Sequence, residues 1–109
     1  MEETRMSWEI LHRRSLTAYE KYGSLPPDQQ ERAGNILLEQ AALNEEQAFF
    51  DSMGAAPPLV RGEMAVNMVT FWLLQGQRDK AIEALRIGGN SRDVPQRIRA
   101  MLMDMLLVL

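Results

Sequence analysis

The sequence has 109 residues, of which 46% are hydrophobic and 25% charged, a composition typical of one folded globular domain and not of a disordered chain. It contains no cysteine, which excludes disulfides, thiolate metal sites and cysteine nucleophiles and favours a reducing, cytoplasmic location. The net charge of −3 without a dense basic patch argues against nucleic acid as a partner, and no apolar run forms a secretory signal or approaches the roughly 20 residues of a membrane span.

The N-terminal half predicts two helices, over about residues 7–22 and 27–53. Ser7 is suited to cap the first helix, because its hydroxyl can accept a hydrogen bond from a free backbone N–H of the first turn. Gly23 is suited to end that helix, since glycine enters the left-handed conformation at little steric cost. His12 lies beside two arginines on the polar side of this helix, where we expect it to face solvent.

The C-terminal half predicts three further helices, separated by clusters of Gly and Pro. The third covers about residues 59–75 and is apolar nearly all round, so we expect it to be buried on several sides or completed by a partner. The fourth is short, about residues 78–87, and the Gly88 and Gly89 pair is expected to stop it. The last helix begins close to residues 90–93, which include good capping residues.

These elements predict an all-α fold, a small helical domain of four to five helices. No stretch of the sequence has the sustained alternation of apolar and polar residues that is typical of strands. We expect an N-terminal helix pair in residues 6–53, packed against a helical hairpin and a C-terminal capping helix in residues 59–109. Because a chain of this length supports one apolar core, residues 1–109 are expected to form a single domain.

One stretch, residues 61–86, resembles a tetratricopeptide repeat (TPR), a helical hairpin that binds peptides and partner helices. Its centre reads FWLLQGQRDKAIEAL. The repeat favours an aromatic residue late in the first helix, a small residue in the turn, alanine where the helices cross and a large apolar residue beyond. Those positions are filled by Trp72, Gly76, Ala81 and Leu85. Ala65 and Val69 depart from the aromatic and small residues that the family usually has on the first helix.

The size, helicity, absence of cysteine and single repeat-like hairpin together look like the small chaperones of bacterial type III secretion. That resemblance implies a protein that holds an aggregation-prone helix of its partner in an apolar groove. Since repeat units bury their faces by stacking, a single unit must be capped by other helices or by another chain. The last helix of the sequence is expected to provide this cap on one side.

The candidate partner-binding site is the excess of apolar side chains in the second half of the chain. Methionine is flexible and polarizable, which suits adaptable binding surfaces, and three methionines fall within five positions of the last helix. Met103, Leu107 and Val108 lie off the main apolar stripe of that helix, so some apolar area is expected to stay exposed. The expected partner contacts are Met68, Trp72, Met101, Met105 and Leu109, with Arg97 and Arg99 as a charged rim.

The sequence has few candidates for catalysis. It has one histidine, no Glu-x-x-His metal motif and no phosphate-binding loop, so we predict a protein that is not an enzyme and needs no metal or cofactor. The leading hypothesis is an adaptor or chaperone that binds an amphipathic helix of a partner. Two alternatives stay open: an obligate homodimer with a structural or regulatory role, and a helix-turn-helix DNA-binding regulator that depends on Arg97 and Arg99.

Overall fold

The computed structural model describes residues 7–109 and has five α-helices in that range. Their bounds are α1 Trp8–Ser24, α2 Pro27–Asp51, α3 Pro58–Leu74, α4 Arg78–Asn90 and α5 Gln96–Val108. Of the described residues, 83% are helical and none is in a strand, so the prediction of an all-α fold is confirmed. Residue 6, where the predicted N-terminal pair begins, lies outside the described residues.

Consecutive helices pack against one another, and α3 also contacts α5. The connections between helices are two to six residues long, and such short connections favour antiparallel neighbours. The resulting array is flat, with extents of 47 × 40 × 20 Å. α3 therefore lies in the middle of the array with neighbours on several sides, which is why its sequence can be apolar nearly all round.

The core is centred on α3. Met64, Met68, Phe71 and Trp72 of this helix are fully buried, and Phe49 of α2 packs in the same cluster. Each such side chain contributes about 1.5–3 kcal/mol when it is removed from water. The neighbouring helices face this core with small residues that allow close approach: Ala41, Ala42 and Ala48 on α2, and Ala81 and Ala84 on α4.

The start of α1 follows the prediction, whereas its end does not. The Ser7 hydroxyl accepts a hydrogen bond from the backbone N–H of Ile10 at 3.4 Å, which confirms the N-cap. The expected stop at Gly23 is wrong, because the helix continues through it to Ser24. Leu25 is extended, with φ −73° and ψ 142°, because the proline that follows disfavours a helical conformation there. That proline, and not the glycine, ends α1.

Two glycines show different structural uses. Gly76 has φ +72° in the turn between α3 and α4, a conformation that any other residue would adopt at a cost. The expectation that Gly88 and Gly89 stop α4 is wrong, because the helix continues past both. A Cβ atom on Gly88 would lie 2.8 Å from Cδ1 of Leu102 and 3.0 Å from Cβ of Ala65. Gly88 therefore lets α3 and α5 approach the backbone of α4.

Candidate protein-interaction surface

One side of α5 anchors this helix to the rest of the chain. Leu102 is fully buried against Gly88 of α4, and Ile98 lies close to the start of α3. Met105 and Leu109 continue the same side and are partly buried against the core. Their spacing of three or four residues is that of one helix face, which we call the anchoring side.

The remaining surface of α5 is exposed and largely apolar. Met101 is 43% exposed and Val108 is 83% exposed, and their separation of seven residues puts them on one side of the helix. Met103 and Leu107 are also exposed, on another side. The expectation that Met103, Leu107 and Val108 would stay outside the core is therefore confirmed for the isolated chain.

Met101 borders a cavity of about 550 Å³ between α5 and the start of α3. The cavity, which we call the α5 groove, is lined by Leu59, Pro95, Arg97, Ile98 and Met101. Four of these five side chains are apolar, and Leu59 is 74% exposed. An apolar cleft formed by two helices can accept side chains from the apolar face of a third helix.

The structure brings together part of the predicted binding site. Met101 and Arg97 both line the α5 groove. Met105 and Leu109 lie on the anchoring side, where they are partly buried. Arg99 does not line the groove, because its Nε donates a hydrogen bond to a carbonyl oxygen of the α4–α5 loop at 3.0 Å. Residues two apart on a helix point to different sides, so Arg97 and Arg99 cannot form one rim.

Two of the predicted partner contacts, Met68 and Trp72, belong to the core and do not line the α5 groove. Both are fully buried. Trp72 donates a hydrogen bond from Nε1 to Oε1 of Glu46 on α2 at 2.7 Å, and the ammonium of Lys80 on α4 lies 4.4 Å from the centre of its ring. Trp72 also borders a smaller cavity of about 190 Å³ between α2 and α4, but it is only 1% exposed and offers almost no area to a partner.

The side chains that hold the α5 groove in place are an Arg–Asp pair that no local sequence pattern identifies. Arg61 of α3 is fully buried, and its Nε and Nη2 donate to the two carboxylate oxygens of Asp93 at 2.7 and 3.3 Å. Such a two-pronged pair fixes orientation as well as distance. Asp93 lies in the loop that leads into α5, so this pair holds the start of α5 beside the start of α3.

Arg61 also connects this loop to the end of α2. Its Nη1 donates to Oγ of Ser52 at 3.0 Å and to the backbone carbonyl of Phe49. The guanidinium carbon lies 3.8 Å from the centre of the Phe49 ring, a distance at which the ring face attracts a cation. This buried arginine thus joins α3 to the end of α2 and to the α4–α5 loop, each of which supplies acceptors for its charge.

A second polar cluster joins α1, α2 and α3, and it shows that the expected solvent-facing position of His12 is wrong. The His12 side chain is only 16% exposed, and its Nδ1 lies 2.7 Å from Oε1 of Glu45. Asn67 donates to the other oxygen of the same carboxylate at 2.9 Å. Burial raises the pKa of Glu45 above its ordinary value, although the hydrogen bonds from His12 and Asn67 oppose that rise.

The second ring nitrogen of His12 also faces a carboxylate. Its Nε2 lies 4.0 Å from Oε1 of Glu63 on α3, so both nitrogens of the ring are directed at acidic groups. The contacts of this cluster therefore join α1, α2 and α3 at one place. Local sequence patterns could not reveal it, because His12 and Glu45 are separated by 33 positions.

The described residues show neither a metal site nor a membrane span. In residues 7–109, no group of three or more His, Asp and Glu side chains is placed to hold a metal ion. None of the helices in that range is both long enough and apolar enough to cross a membrane. No protein-family model, curated protein or solved structure matches this chain. A proposal about function therefore depends on the surfaces described above.

Proposed function

We propose that the protein is a non-catalytic interaction module, an adaptor or a secretion-type chaperone, that binds an amphipathic helix of a partner protein in the α5 groove. The observation that carries this proposal is the clustering of apolar side chains around one cavity. Isolated exposed apolar side chains are ordinary on protein surfaces, whereas a contiguous apolar cleft is typical of a binding site. The TPR-like spacing in residues 61–86 supports the same class of function.

The shape of the surface fits a helix. Val108 lies two turns beyond Met101 on the same side of α5, which extends the apolar contact by about 10 Å. A partner helix with apolar residues at i, i+3, i+4 and i+7 presents a stripe of similar length. Arg97, at the edge of the groove, is exposed, so an ion pair with it contributes about 1 kcal/mol or less. Apolar contacts therefore dominate the expected affinity.

A fluorescein-labelled model peptide tests the proposal. Its Leu and Met residues recur at i, i+3, i+4 and i+7, its other positions are uncharged, and a scrambled peptide of the same composition lacks the stripe. Fluorescence anisotropy should show that the protein binds the first peptide and not the second. Met101→Asp should weaken binding about tenfold or more, because losing one buried apolar side chain costs about 1.5–3 kcal/mol.

Ile36→Asp is the matched control. Ile36 is an exposed apolar residue on α2 that does not line the α5 groove, so this variant should bind the peptide as tightly as the unmodified protein. Circular dichroism checks that both variants keep their helices. Equal binding of the scrambled peptide, or an unchanged affinity in Met101→Asp, would contradict the proposal.

The same end of the chain also favours a second candidate, an obligate homodimer in which a twin covers α5. Leu107 and Val108 are each more than four-fifths exposed, and a second copy could bury them. Sedimentation velocity over a range of concentrations separates the two candidates. A dimer that dissociates in Leu107→Asp supports self-association, whereas a monomer at every concentration supports a different partner.

A further inference from the structure

A second groove, of about 560 Å³, lies between α1 and α2. None of the residues that line it also lines the α5 groove, so the two are separate surfaces. We call it the α1–α2 groove. The residues that matter for its chemistry are Ile10, Arg13, Arg14 and Lys21 on α1, and Leu37 and Gln40 on α2.

Helix geometry puts the cations of this groove in a row. Arg14 and Lys21 are seven residues apart, which is about 10 Å along α1 and within roughly 20° around its axis. Arg13 lies beside them, and all three side chains are exposed. Ile10, one turn before Arg14, is also exposed. The row of positive charge therefore runs along the groove beside an apolar residue, with Leu37 of α2 opposite.

No described carboxylate forms an ion pair with this row. The ion pairs within residues 7–109 are His12 with Glu45, His12 with Glu63, and Arg61 with Asp93. Among the described residues, no Asp or Glu lines the groove. In a chain with a net charge of −3, a groove with three cations reverses the sign of the charge locally. Such a groove attracts and orients an acidic partner.

We propose that the α1–α2 groove binds an acidic amphipathic helix of a partner protein. Carboxylates at positions i and i+7 of such a helix have the same spacing as Arg14 and Lys21, because both helices rise by about 1.5 Å per residue. Apolar residues at i+3 and i+4 then face Leu37 between the two cations, and an apolar residue at i−4 covers Ile10, one turn before Arg14. One ligand thus pairs with the cations and removes apolar surface from water, which a small inorganic anion cannot do. This proposal does not depend on the function proposed for the α5 groove.

The neighbouring residues favour a helix over nucleic acid or an anionic membrane. Binding to a polyanion depends on clustered cations that span many phosphates, and it gains little from an apolar groove. Here the row has three cations, and Glu9 and Glu20 are exposed on the same helix. Glu9 lies before the row and Glu20 lies next to Lys21, so a phosphate backbone that follows the helix meets negative as well as positive charge. A peptide with carboxylates only at i and i+7 places its negative charges at Arg14 and Lys21.

A labelled amphipathic peptide with Glu at i and i+7 and Leu at i−4, i+3 and i+4 tests the proposal, alongside an analogue with Gln in place of Glu. Anisotropy at low salt should show binding of the Glu peptide, about tenfold weaker binding of the Gln peptide, and an affinity that falls as NaCl is added. Arg14→Glu/Lys21→Glu should weaken binding of the Glu peptide by about tenfold or more. Arg14→Lys/Lys21→Arg, which keeps both charges, should restore most of it.

Arg32→Glu/Arg78→Glu is the matched control, because it makes the same change in net charge at exposed residues outside the groove. It should bind nearly as well as the unmodified protein. Met101→Asp should bind the Glu peptide with unchanged affinity, so a failure at the α5 groove stays distinguishable from a failure here. The proposal is overturned if the Gln peptide binds equally, if the control double variant loses as much affinity as Arg14→Glu/Lys21→Glu, or if duplex DNA or phosphatidylserine vesicles bind more tightly than the peptide.

Discussion

Asp93→Asn should destabilise the protein markedly, because it removes the charge that faces a fully buried arginine. The carboxylate of Asp93 receives two hydrogen bonds from Arg61, at 2.7 and 3.3 Å. Asparagine has nearly the same size, but its amide offers one oxygen and no charge. The change therefore leaves the guanidinium of Arg61 with a smaller set of acceptors in a place that water does not reach.

The size of the effect follows from the burial of each partner. Removing one member of a wholly buried ion pair costs about 3–5 kcal/mol. The Asp93 side chain is 37% exposed, so solvent already screens part of the interaction, and Arg61 keeps its bonds to Ser52 and the carbonyl of Phe49. We therefore expect a loss of about 2–3 kcal/mol in the free energy of unfolding. For a chain of this length, that corresponds to a fall in Tm of roughly 10 °C.

Urea unfolding and thermal melts, both followed by circular dichroism, measure this loss. Asp104→Asn is the matched control, since Asp104 is exposed on α5 and forms no ion pair with a described residue. It should change stability by less than about 0.5 kcal/mol. A double-mutant cycle with Arg61→Met isolates the coupling between the two side chains. If Asp93→Asn is as stable as Asp104→Asn, or if the coupling is below about 0.5 kcal/mol, the pair does not hold the α4–α5 loop and the reasoning is refuted.

Two further variants test the buried cluster and the packing of α4. Burial raises the pKa of Glu45 above its unfolded value, so the free energy of unfolding of the unmodified protein should fall as the pH rises from about 4.5 through the folded pKa. Glu45→Gln lacks this titration, so its stability relative to the unmodified protein should increase over the same pH range. Urea unfolding at several pH values measures the difference, and a difference that stays constant would contradict the prediction. Gly88→Ala should cost about 1–2 kcal/mol, because its Cβ would lie 3.0 Å from Cβ of Ala65 and overpacking outweighs the gain in helix propensity. Gly89→Ala should be neutral or stabilising in the same melts, since the atom it would meet is the flexible end of Met103.

The order and extent of the helices could be predicted from local features of the sequence. Gly and Pro clusters separate the helices, Ser7 caps α1 as expected, and Gly76 adopts the positive φ of a tight turn. Each of these features acts within a few residues. The two wrong boundaries, at Gly23 and Gly88, have one cause: glycine permits a helix to end but does not require it, and neighbouring proline or tertiary packing decided the outcome.

The candidate site could be predicted only in part, because exposure depends on which helices become neighbours. Trp72 and Met101 are both apolar residues at helical spacing, yet one is enclosed between α2 and α4 and the other borders the α5 groove. Nothing in the local pattern distinguishes them. The contacts of His12 and Arg61 were missed for a related reason, since their partners lie 33 and 32 positions away in the sequence.

The contrast between α3 and α5 explains why apolar surface remains at this end of the described chain. Both helices are rich in apolar residues, but α3 has neighbours on several sides, whereas α5 packs mainly on α4 and touches only the start of α3. Met101 and Val108 lie away from the anchoring side, so polar residues there would leave the packing of this chain intact. These two apolar side chains contribute to stability only in a complex, where another surface covers them and each Å² removed from water contributes about 25 cal/mol. Ile36 is also exposed but lines neither groove, which is why the clustering at α5, and not exposure alone, supports a binding function.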